Sequence, residues 1–333
     1  MSDIICWWSG GVTSAVACKI AIDIYGKDNC RVVFIDTYNE SDDTYRFKND
    51  CQAWYGINIE TITEIGNKYQ SIQDVWRKRL SLNVATGAIC SSELKRRVRE
   101  KWEKDNKYSF QVFGFDIDEP KRAKSMAMNN PNANPIFPLL MFGLSKKDCI
   151  GIIEDNGIGI PEMYHLGFLN NNCFKTGCVQ GGIGYWQKIQ REYPDKFMAM
   201  AKMEHELTDK KGSPVTMLRS QKNGTKTPLF LIPHPNYPEL PKFLEQDGRE
   251  PEPLFECNGF CGINDLEKRS NTESEINYQL DLWQREDDFK LCEHKFERGY
   301  VSDMCVYCIK CNKDADEIYP GMSFTDQLKL VCK

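Results

Sequence analysis

This sequence predicts an α/β protein built on a doubly wound parallel sheet, and three observations lead there. Short apolar, β-branched or aromatic runs alternate with helical segments through the first half of the chain. The runs are continuously apolar, as strands covered by helices on both faces are. They end at Ser9, Asp36 and Gly114, and the carboxyl ends of parallel strands are where such sheets bind ligands.

The first run, Ile4-Ile5-Cys6-Trp7-Trp8, reads as a short buried strand. Ser9-Gly10-Gly11 follows as a turn, and a helix runs on through residues 15–21. Strand, tight turn and helix start make a phosphate-binding geometry. The first helical turn leaves amides unsatisfied, and the helix dipole favours an anion there. Gly10 and Gly11 let the backbone close on a ligand, and the hydroxyls of Ser9, Thr13 and Ser14 can add donors. The plainer alternative is an ordinary strand-to-helix turn.

Residues 31–36 form the second strand. A helix over 43–55 closes at Gly56 as its C-cap, and 57–63 alternates as the third strand. Helices over 69–80 and 93–102 precede a fourth strand at 109–114, and another helix spans 146–155 before Gly157. Beyond Trp186, residues 188–207 read as a helix interrupted near Pro194, with Met198, Met200 and Met203 toward the core. Residues 208–254 read as a loop-rich excursion, and His234, between two prolines, as structural.

Composition narrows the class. A chain of 333 residues has room for one large or two modest domains, and 41% hydrophobic with 27% charged residues describes a soluble globular protein. No apolar run approaches a membrane span, no signal-peptide pattern opens the chain, and no membrane partner is expected. A net charge of -5 gives no global pull toward nucleic acid but leaves room for local patches. Fifteen cysteines without an export signal point to metal or sulfur chemistry in a reducing cytoplasm.

Two cysteine pairs, Cys173 with Cys178 and Cys257 with Cys261, can supply four thiolates to one zinc or one [4Fe–4S] cluster; buried free thiols are the alternative. In the tail, Cys292 and His294 precede Cys305 and Cys308, a spacing that closes a tetrahedral zinc site, with Cys311 as a rival ligand. Cys90 precedes the basic run Lys95-Arg96-Arg97-Val98-Arg99, a setting that favours thiolate in a ligand or sulfur carrier.

Several segments, in order, resemble the PP-loop adenine-nucleotide enzymes, and within them the phosphoadenosine-phosphosulfate (PAPS) reductase family, over roughly residues 3–205. Ser9-Gly10-Gly11-Val12-Thr13-Ser14 is similar to the PP-loop itself, and Asp36-Thr37-Tyr38-Asn39-Glu40 with Thr44, Arg46 and Phe47 to the second-strand segment. Cys90-Ser91-Ser92-Glu93-Leu94-Lys95 and Gly114-Phe115-Asp116-Ile117-Asp118-Glu119 with Arg122 resemble later elements. Pro135-Ile136-Phe137-Pro138-Leu139 and Tyr164-His165-Leu166-Gly167-Phe168 match further landmarks.

The resemblance implies an adenine nucleotide, ATP or PAPS, with its terminal phosphates on Ser9, Gly10, Gly11, Thr13 and Ser14. Asp36 and Thr37 would flank adenine and ribose, and Gly114 would face the nucleotide. Lys95 and Arg122 would neutralise phosphate or sulfate oxygens, and with Cys90 they are the candidate catalytic residues. Two plainer alternatives stand beside this: Asp36 as a helix cap, and Lys95 on a solvated helix face. Cys-ligated iron–sulfur clusters in the family favour that use of the paired cysteines, and Glu256-Cys257-Asn258-Gly259 echoes the family's nucleophilic Glu-Cys-Gly tail. Val12-Thr13 replaces the loop's usual Lys-Asp, and Asp116 stands where the reductases carry arginine.

The expected organisation is a PP-loop nucleotide-binding domain over 1–165, a cysteine-containing helical and loop region over 166–265, and a helix with a small zinc-ribbon-like module over 266–333. Three functions follow. The first is a PAPS-reductase-like enzyme of sulfur chemistry. The second is an ATP-pyrophosphatase sulfurtransferase acting on a nucleic-acid base with a sulfur donor. The third is a non-catalytic nucleotide-binding protein.

Overall fold

The computed structural model describes residues 4–84, 87–221 and 224–251, together with the backbone of 307–308 and 313–314. Its centre is β1 (Ile4–Trp8), which leads into α1 (Val12–Tyr25), β2 (Cys30–Ile35), α2 (Asp42–Tyr55), β3 (Ile59–Ile62) and α3 (Ile72–Arg79). A short antiparallel pair, β4 (Asn83–Val84) and β5 (Gly87–Ala88), follows. Next come α4 (Ile89–Ser91), a π-helical turn over Ser92–Arg96 and α5 (Arg97–Asp105), with right-handed helical dihedrals at every junction. The chain continues through β6 (Phe110–Val112), α6 (Pro120–Asn129), β7 (Pro135–Ile136), α7 (Pro138–Met141), α8 (Lys146–Asp155) and α9 (Glu162–His165). It then forms α10 (Ile183–Glu192), α11 (Pro194–Lys211) and the hairpin of β8 (Leu218–Ser220) and β9 (Thr227–Leu229).

The sheet runs β3-β2-β1-β6-β7, with every neighbouring pair parallel. Strand order reverses between β1 and β6, so the crevice outside their carboxyl ends is the binding position of a doubly wound sheet. The alternation of β1 accounts for both layers. Ile4, Cys6 and Trp8 pack with α1, α2 and α8, while Ile5 and Trp7 pack with Val98 and Trp102 of α5 and Met126 of α6.

Local chemistry fixes the ends of several helices. Ser41 caps α2 by accepting from the Asp43 amide, and Gly56 closes the helix in the left-handed conformation, as the sequence predicts. Ser145 and Asp148 form a reciprocal capping box on α8. The fourth strand is followed by a fifth, β7, which sequence periodicity does not reveal because two residues are too few to show alternation. The third helix begins at Ile72 rather than 69, since Ser71 caps it by accepting from Asp74.

A second core unites α3, α10, α11 and the β8–β9 hairpin around Trp76, Trp186 and Tyr185. The interruption expected near Pro194 is real: α10 ends at Glu192 and Pro194 opens α11. Met200 and Met203 are buried there, but Met198 is 43% exposed, contrary to the sequence expectation. Two residues from Met200, it lies roughly 200° around the helix, on the opposite face. No described helix is long and apolar enough to cross a membrane.

Candidate functional site

The turn from β1 into α1 forms the floor of the crevice. Gly10 has φ 91°, a conformation that glycine adopts without strain. The Ser14 hydroxyl accepts from the Ser9 amide at 3.0 Å and from the Ser9 hydroxyl at 2.9 Å, and donates to the Gly11 carbonyl at 2.9 Å. These bonds hold the loop in shape from within. No side chain of the N-cap residue Gly11 caps α1, and no acid lies in its first turn, so the positive end of the helix dipole faces the crevice. The Tyr164 hydroxyl takes the Val12 amide at 3.3 Å.

Gly114 is dictated by packing. A Cβ there would lie 2.6 Å from both Cα and N of Ser14, so the chain after β6 can lie against the start of α1 only as glycine. Asp116, just beyond, is buried and accepts from the Asp118 amide at 3.0 Å. Burial pushes its carboxyl above the usual range, and nearby Glu119 adds to that. Arg122 bonds Glu119 and lies over the Phe115 ring at 4.9 Å.

At the carboxyl end of β2, Asp36 is buried and accepts from the Tyr38 amide at 2.7 Å and the Tyr45 hydroxyl at 3.1 Å. It caps no helix; Ser41 does that for α2. Burial is the main cause of its raised pKa, with the Glu40 charge acting the same way. Thr37 donates to Glu40 at 3.1 Å. Glu40 and Lys95, both buried, form an ion pair at 3.4 Å across the crevice. The solvated-face alternative for Lys95 therefore fails. The π-helical turn is the reason, because widening the helix buries Glu93, Leu94 and Lys95 in succession.

Glu93 turns to different partners. Its carboxylate accepts from the Tyr69 hydroxyl at 2.6 Å, Lys68 at 3.1 Å, Arg79 at 2.5 Å and Arg97 at 2.8 Å. Burial alone would raise its pKa, but the Tyr69 hydroxyl and the surrounding cations hold it below the ordinary carboxylate range.

The segment carrying the first cysteine pair is laced onto this crevice. Asn171 donates to the Gly10 carbonyl at 2.8 Å and to the Thr44 hydroxyl at 3.1 Å. Asn39 donates to Thr176 at 2.8 Å, and its carbonyl accepts from the amides of Phe174 and Lys175. Cys173 thus stands beside Thr37, with 3.9 Å between sulfur and hydroxyl oxygen. Burial pushes its thiol well above the usual range; Glu40 reinforces this, Lys95 opposes it, and Cys178 and Cys90 are near enough to contribute.

Sequence reasoning named Cys90, Cys173, Cys178 and Lys95 separately, and the fold gathers them. It gave no role to Glu40, Asn39 or Asn171; the run Asn170-Asn171-Asn172 before Cys173 was the available signal, since buried amides in a row need partners.

Among the described residues, no three His, Cys, Asp or Glu side chains close tightly enough around one point to hold a single metal ion. Cys173 is near enough to Cys90 and Cys178 to feel their charge, and all three belong to or pack against the second core. Cys257, Cys261, Cys292, His294, Cys305 and Cys311 lie outside the described residues. Of Cys308 only the backbone is described: β10 (Tyr307–Cys308) pairs antiparallel with β11 (Lys313–Asp314).

Similar solved structures include phosphoadenylyl-sulfate (PAPS) reductase from Candida auris as a phosphate complex, 13% identical, covering 52% of this chain and 82% of that one, with a TM-score of 0.38. Another is the U34-tRNA thiolase NcsA from Methanococcus maripaludis with its [4Fe-4S] cluster, 13% identical, covering 61% of this chain and 72% of that one, with a TM-score of 0.38. No curated protein matches the chain. Residues 3–180 match the model of the phosphoadenosine phosphosulfate reductase domain, more than half of the 333 residues, and the chain belongs to that family.

Proposed function

We propose that this protein is an adenine-nucleotide enzyme of sulfur chemistry, with its nucleotide in the crevice outside β1 and β6. The observation that carries the reading is the lacing of residues 170–176 onto the loop: Asn171 bonds Gly10 directly, so a thiol segment and a phosphate-type loop form one unit. Ser9, Gly10, Gly11, Thr13 and Ser14 would hold phosphates, and Asp36 and Thr37 would flank the nucleoside. Lys95 would exchange Glu40 for a phosphate oxygen. Cys90, Cys173 and Cys178 would hold an iron–sulfur cluster, which supplies sulfur or electron transfer when bound.

ATP suits the crevice better than PAPS. Arg122 is committed to Glu119, and a buried acid, Asp116, occupies the segment where a sulfate would need cations. Base thiolation, with a nucleic-acid substrate, is a sulfur chemistry that consumes ATP: the carbonyl oxygen of a base attacks the α-phosphate, pyrophosphate leaves, and a sulfide-level sulfur from a donor displaces AMP.

The test is titration with ATP and with PAPS on protein purified anaerobically, with iron and sulfide analysis, followed by product analysis. Pyrophosphate release from ATP supports the ATP reading. Sulfite release from PAPS with a thiol reductant replaces it with reduction. Binding without turnover of either nucleotide overturns the enzyme reading.

A further inference from the structure

Three cations are gathered around one acid on the far side of the helical run that carries Lys95. Lys68, Arg79 and Arg97 all reach the buried carboxylate of Glu93, at 3.1, 2.5 and 2.8 Å. One cation neutralises that carboxylate; three leave a local surplus of two positive charges. Their side chains are 51%, 40% and 50% exposed, so the surplus faces solvent. Flanking cations differ: Arg77 is matched by Glu206, and Lys78 by Asp74. Buried Glu93 therefore acts as an anchor that holds three outward-facing cations close together, at a repulsive cost that an external anion would relieve.

We propose that Lys68, Arg79 and Arg97 form a docking patch for the phosphate backbone of a nucleic acid. Two guanidinium forks and an ammonium, held in place before contact, match successive phosphate oxygens and lose little side-chain freedom on binding. An anionic membrane is the weaker partner, since none of the exposed large apolar side chains among the described residues falls between 68 and 105. Glu93 and Lys95 occupy the same π-helical turn, so the patch and the crevice are separated by about one helix diameter, roughly 10–12 Å. A strand lying on the patch passes alongside the crevice. The proposal deepens the base-thiolation reading, yet it concerns a surface that binds whether or not nucleotide is turned over.

The experiment is fluorescence anisotropy of the full chain with a labelled RNA stem-loop and with a DNA duplex of equal length, across a salt series. The parent is expected to bind, with log K falling linearly in log salt. Lys68→Gln and Arg97→Gln, which leave Arg79 to neutralise Glu93, are each expected to reduce the magnitude of that slope by about 0.7–0.9. Lys68→Arg is expected to restore it, a rescue that a folding defect would not give. A stronger response to RNA or to DNA identifies the nucleic acid. Absence of binding to both, slopes unchanged in both Gln variants, or capture of the parent only by phosphatidylserine vesicles overturns the patch. ATP titration of the same variants keeps the two readings apart: they are expected to bind ATP as the parent does, and a parent that binds nucleic acid but no nucleotide overturns the crevice alone.

Discussion

Glu40 at the carboxyl ends of the sheet and Glu204 inside the helical layer are both buried, and they are satisfied in opposite ways. Glu204, on α11, gives one carboxylate oxygen to the Met217 amide at 2.9 Å and the other to the Leu231 amide at 2.8 Å. It is a strut binding the hairpin region to the helix, with both oxygens taken by backbone. Glu40 faces a hydroxyl, Thr37, and an ammonium, Lys95, beyond the carboxyl end of β2. Backbone partners cannot be exchanged without local unfolding, whereas a side-chain cation can trade one anion for another. A buried acid consumed by amides marks architecture. One paired with a side-chain cation keeps a partner that an incoming anion can replace.

Breaking the crevice pair has the largest expected effect. Lys95→Met leaves Glu40 buried and unpaired and is expected to cost about 3–5 kcal/mol in chemical denaturation, together with nucleotide affinity. Lys95→Met with Glu40→Gln is expected to recover most of the stability and none of the affinity. If affinity returns with stability, Lys95 serves the fold alone. Gly114→Ala tests the same crevice through its backbone, since the new methyl would sit 2.6 Å from Ser14. The expected loss is ~3 kcal/mol with nucleotide binding abolished, and parental affinity by calorimetry would contradict it.

In the helical layer, Met200→Ala is expected to cost ~2 kcal/mol by removing a buried side chain, and Met198→Ala less than ~0.5 kcal/mol. Equal effects in urea melts would put the wrong face of α11 inward. Glu204 gives the most pH-specific signal. Burial raises its pKa to about 8, so the folded chain binds more protons than the unfolded one between its usual value of 4.5 and about 8. The stabilisation is complete below the unfolded pKa and is lost as pH rises through the folded one, with a slope of at most ~1.4 kcal/mol per pH unit. Glu204→Gln is expected to flatten melting temperature against pH across that window, and an unchanged slope would remove Glu204 as its source.

The parts legible in the sequence were those set by neighbours along the chain. The strand, glycine turn and helix at 4–25, the C-cap at Gly56, the helix over 146–155 and the break at Pro194 depend on periodicity and capping within a few residues. What escaped depends on contacts across the fold. Asn171 meets Gly10 across 161 positions, and Lys95 meets Glu40 across 55. The π-helical turn has no propensity signature of its own, so the sequence leaves Lys95 open between a phosphate contact and a solvated helix face. Cys90 stands near Cys173 and Cys178 because α4 and the 170–178 segment meet at the crevice. The grouping of Cys173 and Cys178 with Cys257 and Cys261 concerns a pair outside the described residues.

The central position of β1 also has a consequence for biosynthesis. One edge of this strand is covered by β2, made shortly afterwards, but the other waits for Phe110–Val112 of β6. At ribosomal speeds of ~5–20 residues per second, that edge stays open for roughly 5–20 s while the nascent chain lengthens. Ile4-Ile5-Cys6-Trp7-Trp8 carries no charge and no proline to discourage pairing with another chain. The strand that leads into the glycine turn is thus an aggregation-exposed stretch of the nascent chain, and fragments ending before residue 110 lack the strand that covers its second edge.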